Sequence, residues 1–169
     1  MKSTSRLLTY TVSIALVLFL VFWFRDGQGP KMPDISFTDI DGQTHQLADY
    51  LGQPVLMIFW ATDCPGCIQE IPDLQKLYAD YVPQGLSMLS IALPHDTPEH
   101  LKAMRAERSL PYAIVWDQDG SIGRAFDNVR VTPTHFLIAP NGEIVMRKIG
   151  VLDRQVIENR LNRMGLQPA

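Results

Sequence analysis

The chain has 169 residues, 46% of them hydrophobic and 20% charged, which excludes a disordered tail and leaves room for one domain of ordinary size. A formal net charge of −3 argues against a nucleic-acid binder. The two cysteines, Cys64 and Cys67, are too few for a disulfide-stapled mini-domain or a four-cysteine zinc site.

Charge is unevenly placed. Residues 1–31 carry Lys2, Arg6, Arg25 and Lys31 against Asp26, a net +3, so the other 138 residues carry −6. Between them Leu7 to Phe24 is an uncharged 18-residue stretch. As a helix it would be about 27 Å long, close to the bilayer core of about 30 Å. Trp23 and Phe24 suit an interface, Arg25 ends the run, and the leading Lys2 and Arg6 keep the N-terminus cytoplasmic. A cleaved signal peptide would need small residues where Val21-Phe22-Trp23-Phe24 stands. We therefore expect a transmembrane anchor over residues 1–25, a linker over 26–32 rich in glycine and proline, and an exported domain over 33–169. A single-pass inner-membrane protein would place that domain in the periplasm, where disulfides persist.

Along the domain, Ile35 to Thr38 alternates apolar and polar residues, Asp41-Gly42 is a turn signal, and Thr44 to Leu47 returns as a hairpin arm. Ala48 to Leu51 reads as one helical turn. Val55 to Trp60 is apolar throughout, as in a strand covered on both faces. After Cys64-Pro-Gly-Cys67, the spacing of Ile68, Ile71, Leu74, Leu77, Tyr78 and Tyr81 predicts a helix that Pro72 should kink. Leu86 to Leu93 is the next strand, and Thr97 caps a helix from Pro98 with Leu101 and Met104 inward. Tyr112 to Trp116 is a strand, Ile122 to Phe126 a short helix, and Thr134 to Ala139 a strand. Asn141-Gly142 turns into an antiparallel strand over Glu143 to Ile149, and Val156 to Met164 closes with a helix. Alternating strands and helices ending in a hairpin predict an α/β sandwich with a mixed central sheet.

The chemistry concentrates at the cysteines. A strand, a tight turn and a helix place Cys64 at a helix N-terminus, where the first-turn N–H groups and the dipole favour a thiolate. Cys67, one turn on, can attack a mixed disulfide formed on Cys64. Asp63, next to Cys64, opposes the thiolate with a like charge. A purely structural disulfide closing so short a loop would remove little chain entropy. His95 and His100 could complete a Cys2His2 set on paper, but 27 residues separate Cys67 from His95, far from a finger spacing. Both histidines read as exposed loop residues, and no metal or other cofactor is expected beyond the redox-active pair Cys64–Cys67.

Phe59-Trp60-Ala61-Thr62-x-Cys-x-x-Cys, Val131-Thr132-Pro133-Thr134-His135-Phe136, and Asn141-Gly142-Glu143 followed by Gly150 together resemble the thioredoxin superfamily. Within it they resemble the membrane-anchored TlpA/ResA-like thiol–disulfide oxidoreductases, over about Pro33 to Leu161. The resemblance implies a thioredoxin-like three-layer sandwich with an N-terminal β-hairpin. It implies Cys64 as nucleophile, Cys67 as buried resolving thiol and Pro133 as a cis-proline against the disulfide. Thr132 would offer backbone hydrogen bonds to a substrate strand, and Trp60 would pack beside the active-site turn. Glu70 matches a glutamate of ResA-like proteins that could raise thiol pKa values and shuttle the Cys67 proton; it also reads as an exposed helix carboxylate. His135 shares the strand face of Pro133, either as a proton acceptor beneath the site or as a hydrogen-bonded core histidine. Two positions depart from the family: Ile58 stands where thioredoxin has a buried aspartate, and Asp63 where many relatives have tryptophan.

The resemblance further implies reduction of disulfides in exported proteins such as apocytochrome c, with a membrane thiol-reducing partner restoring the pair. The alternatives are a disulfide oxidant or isomerase and a metal-binding chaperone of the Sco type. The latter places three residues between its cysteines. A peroxiredoxin would require a Pro-x-x-x-Thr-x-x-Cys context that is absent here.

Overall fold

A computed structural model describes residues 29–169 together with Ile14 and Val17. The expected anchor, apart from those two positions, lies outside the described residues. Among the described residues no helix is long and apolar enough to cross a membrane.

The chain enters through a small antiparallel hairpin, β1 (Ser36–Thr38) and β2 (Thr44–Gln46), with Phe37 opposite His45. A short 3-10 turn over Leu47–Tyr50 follows. The apolar run becomes β3 (Val55–Trp60), buried at every position. Next come α1 (Pro65–Tyr81), β4 (Ser87–Ala92), α2 (Pro98–Arg108), β5 (Ala113–Trp116) and α3 (Ser121–Ala125). The chain closes with β6 (Thr134–Ile138), β7 (Ile144–Ile149) and α4 (Arg154–Arg163). The helix predicted after the cysteines runs through Pro72 to Tyr81 as one element.

The main sheet has the order β5-β4-β3-β6-β7. Strands β3, β4 and β5 are parallel, while β6 runs antiparallel to β3 and β7 antiparallel to β6. Central β3 buries both of its faces, which is why its sequence shows no alternation. Leu56, Ile58 and Trp60 face a core built with Ile71 and Leu74 of α1, Leu101 of α2, and Ile157 and Leu161 of α4. Val55, Met57 and Phe59 face the opposite core, with Phe37 of the hairpin, Phe126 and Phe136. The rings of Phe59, Phe126 and Phe136 lie 5.0–5.7 Å apart between centroids in tilted or edge contacts. The hairpin docks on the sheet through Ile40 N–H to the Ile114 carbonyl, 2.9 Å.

Side-chain caps set where the helices start. Thr97 Oγ1 accepts from His100 N at 3.3 Å and Pro98 takes the first helical position, as predicted. The Asp117 carboxylate accepts from Ile122 and Gly123 at the start of α3, and Asp153 accepts from Gln155 and Val156 at the start of α4. Because β3 and β4 are parallel and β6 is antiparallel to them, three segments meet at one end of the sheet. They are the loop after β3, the loop after β4 and the segment before β6.

Candidate active site

The loop after β3 is held before it reaches the cysteines. Leu93 N–H donates to the Trp60 carbonyl at 3.0 Å and Cys64 N–H to the Ala61 carbonyl at 3.2 Å. Both the N–H and the hydroxyl of Thr62 donate to the carboxylate of Asp96, from the loop after β4. Asp96 is buried, so these bonds satisfy an otherwise costly charge and fix the approach to α1. The clamp has no local sequence signal: nothing in the pattern around Asp96 distinguishes it from a turn residue.

Cys64 caps α1, with Pro65 at the first helical position. Its sulfur accepts from Cys67 N–H at 3.2 Å and is bonded to the Cys67 sulfur, the Cα atoms lying 5.3 Å apart. The two cysteines of the disulfide are unequal in access. Cys64 is half-buried, whereas Cys67 is only 2% exposed and belongs to the core. A solvent-borne disulfide therefore reaches Cys64 first.

The Thr132–Pro133 peptide is cis, as the resemblance implied. A methyl group added at Gly66 would lie 3.4 Å from both Pro133 Cδ and Val151 Cγ2, so the turn between the cysteines packs directly on the proline. Pro133 itself is tied down by its carbonyl, which accepts from Gly150 N–H at 2.8 Å. Among the described residues, the Thr132 N–H and C=O take part in no backbone hydrogen bond, leaving them open to an incoming strand. Trp60 is 4% exposed and sits in the same core cluster as Cys67.

Beneath the pair lies a buried acid–imidazole couple. Glu70 and His135 are 1% and 0% exposed, and Glu70 Oε1 lies within hydrogen-bond distance of His135 Nε2, at 2.8 Å. Glu70 Oε2 accepts from Leu152 N–H at 3.0 Å. The exposed-carboxylate reading of Glu70 is thereby excluded. The cross-strand register explains the meeting: His135 pairs with Ile58 and so points to the side of the sheet covered by α1. Ile58 is the position where thioredoxin has its buried aspartate, so the polar group here comes from the neighbouring strand. His135 Nδ1 is buried without a partner among the described residues. Tyr112 is buried nearby; burial first, and then the charge of Glu70, push its hydroxyl well above the usual phenol range.

At the rim, Asp63 Oδ1 lies 3.1 Å from His95 Nε2, both side chains being more than half exposed. The His95 hydrogen bond holds the Asp63 carboxyl below the usual carboxylate range. His95 is thus a loop residue, as expected, but engaged with the residue next to Cys64. His100 instead lies within the first turn of α2, exposed and away from a loop. Among the described residues no three or more His, Cys, Asp or Glu side chains cluster as a metal site would require.

A disulfide between a buried cysteine and a more accessible one at a helix N-terminus, with a cis-proline opposite, defines a thioredoxin-fold thiol–disulfide oxidoreductase. The profile of the AhpC/TSA family matches residues 28–147, and the chain belongs to this family of thioredoxin-like proteins. The thiol–disulfide oxidoreductase ResA of Geobacillus kaustophilus is 33% identical over 162 residues, 94% of this chain and 91% of that protein. ResA of Halalkalibacterium halodurans is 32% identical over 131 residues, 77% of this chain and 73% of that protein. Among solved structures, one from Chlorobium tepidum described as a thiol:disulfide interchange protein DsbE superposes with a TM-score of 0.73 at 27% identity. It covers 81% of this chain and 96% of its own.

Proposed function

We propose that this oxidoreductase works as a reductant of disulfides in exported proteins, tethered by residues 1–25 with its domain on the periplasmic side. The observation that carries the reading is the unequal burial of the two sulfurs above the Glu70–His135 couple. With the pair reduced, the Cys64 thiolate attacks a substrate disulfide; one substrate sulfur leaves as thiolate and takes a proton from solvent. Cys67, one turn from Glu70 on the same helix face, gives up its proton toward the Glu70–His135 couple. Its thiolate then attacks Cys64 in the mixed disulfide. The second substrate sulfur departs, the proton follows it, and two electrons have moved to the substrate. The Cys64–Cys67 disulfide so formed is the state described above, and a membrane thiol donor returns it to the dithiol. Thr132 and Pro133 hold the substrate strand, and Trp60 supports the turn. The family resemblance makes apocytochrome c a fitting substrate and cytochrome c biogenesis a fitting setting. The low potential of a reductant is the quantity to measure. We expect the Cys64–Cys67 couple to equilibrate near thioredoxin, at about −270 mV, and to reduce insulin. A value near −120 mV without insulin reduction would make the protein an oxidant.

A further inference from the structure

We infer that the rim of the site selects substrate cysteines lying between a cationic residue and an apolar one. The sheet order sets the two sides. Strands β4 and β6 flank β3 on opposite sides, so the loop carrying His95 lies to one side of Cys64 and the Val131–Pro133 segment to the other. The first side bears the Asp63 carboxylate, 74% exposed and hydrogen-bonded to His95. The neighbouring Asp96 carboxylate is buried and spent on Thr62, whereas the Asp63 carboxylate next to Cys64 stays exposed. The second side is apolar: Val131 and Val151 are 56% and 41% exposed, and Val151 with Pro133 forms the wall against which Gly66 packs. A strand lying along Thr132 crosses from one side to the other. Its cysteine then meets Cys64 while one neighbour faces Asp63 and the other the valine wall. Charge complementarity chooses a lysine or arginine for the first place, and area burial an aliphatic residue for the second.

This recognition rests on the reductase reading, and one experiment separates the two. The reduced full-length chain, in a non-ionic detergent at pH 8, is mixed with symmetric disulfide-linked dimers of short peptides. These carry Lys-Cys-Leu, Glu-Cys-Leu, Leu-Cys-Lys or Leu-Cys-Glu. Each single-turnover rate is divided by the rate with dithiothreitol, which removes the intrinsic reactivity of the peptide. Two unit charges about 6 Å apart in water-like surroundings give lysine over glutamate about tenfold in one of the two orders. The ratio should fall to about twofold between 10 mM and 0.5 M salt in the unaltered protein. Asp63→Asn should bring it below about twofold at low salt, and Val151→Ser should erase the preference for the leucine dimers over matching serine dimers, Lys-Cys-Ser and Ser-Cys-Lys, measured alongside the four. Equal rates for all four peptides, or a lysine preference that survives both salt and Asp63→Asn, would overturn the inference while leaving the reductase reading intact. Failure to reduce any of the peptides would sink the reductase reading and this inference with it.

Discussion

Replacing Glu70 with glutamine removes one charge and one acceptor from a fully enclosed site while keeping the side chain's shape. With the proton on His135 Nε2, Glu70 Oε1 accepts from it across 2.8 Å while Oε2 accepts from Leu152 N–H at 3.0 Å. The glutamine carbonyl can serve only one of them, and its NH2 must face the other. If it faces His135, the imidazole proton has to move to Nδ1, which is buried and has no acceptor among the described residues. If it faces Leu152, two donors oppose each other. Either way one charge-assisted hydrogen bond goes, at about 1.5–3 kcal/mol, with one buried donor left unsatisfied. Urea unfolding of the oxidised domain should therefore show Glu70→Gln destabilised by about 2–4 kcal/mol at an unchanged m-value. The couple also makes a non-additive prediction. Glu70→Leu and His135→Leu should each be costly, yet the double variant should cost less than the sum of the two, since no buried charge is left alone. A loss below about 0.5 kcal/mol for Glu70→Gln, or strict additivity of the leucine pair, would refute the buried couple.

Two further perturbations test the frame around the site. Asp96→Ala strips the acceptors from Thr62 N–H and hydroxyl; it should cost about 1–3 kcal/mol in urea unfolding and slow the attack of Cys64 on substrate. In the hairpin, burial raises the Asp39 pKa, but hydrogen bonds from His45, Gln43 and Asp41 outweigh it, and the carboxyl sits below the usual range. A carboxyl whose folded pKa is lowered lends stability above its unfolded pKa of about 3.9, and loses it as pH falls through the lower folded value. Asp39→Asn should therefore be less stable than the parent at pH 7, with the two curves converging in acid below about pH 4. Curves that stay parallel down to pH 2 would show that the charge of Asp39 contributes nothing.

Much of the frame is legible in the sequence. The unbroken apolar run Val55–Trp60 announced a strand buried on both faces, and Thr97-Pro98 announced a capped helix, because both signals are local. The motif also placed Cys64 at the helix N-terminus and Cys67 one turn inside, which matches their unequal burial. What stayed ambiguous depends on partners far apart in the chain. Glu70 three residues past Cys67 reads equally well as a surface carboxylate until the antiparallel register of β6 on β3 sets His135 beneath α1, 65 positions away. Asp96 meets Thr62 only because β3 and β4 are parallel and end together. Asp63 read as a lone charge against the thiolate; its bond to His95 arises from the same convergence of loops.

The central claim is that Cys64 attacks and Cys67 resolves. It is tested most directly by expressing Cys67→Ala and Cys64→Ala variants of the full-length chain and trapping mixed disulfides with acid and a thiol-blocking reagent. With Cys67 gone, the intermediate on Cys64 cannot be resolved, and Cys67→Ala should accumulate covalent complexes that dithiothreitol releases. Cys64→Ala retains only Cys67, which is 2% exposed in the disulfide form, and should accumulate none. Equal trapping by the two variants, or trapping by Cys64→Ala alone, would contradict the assignment.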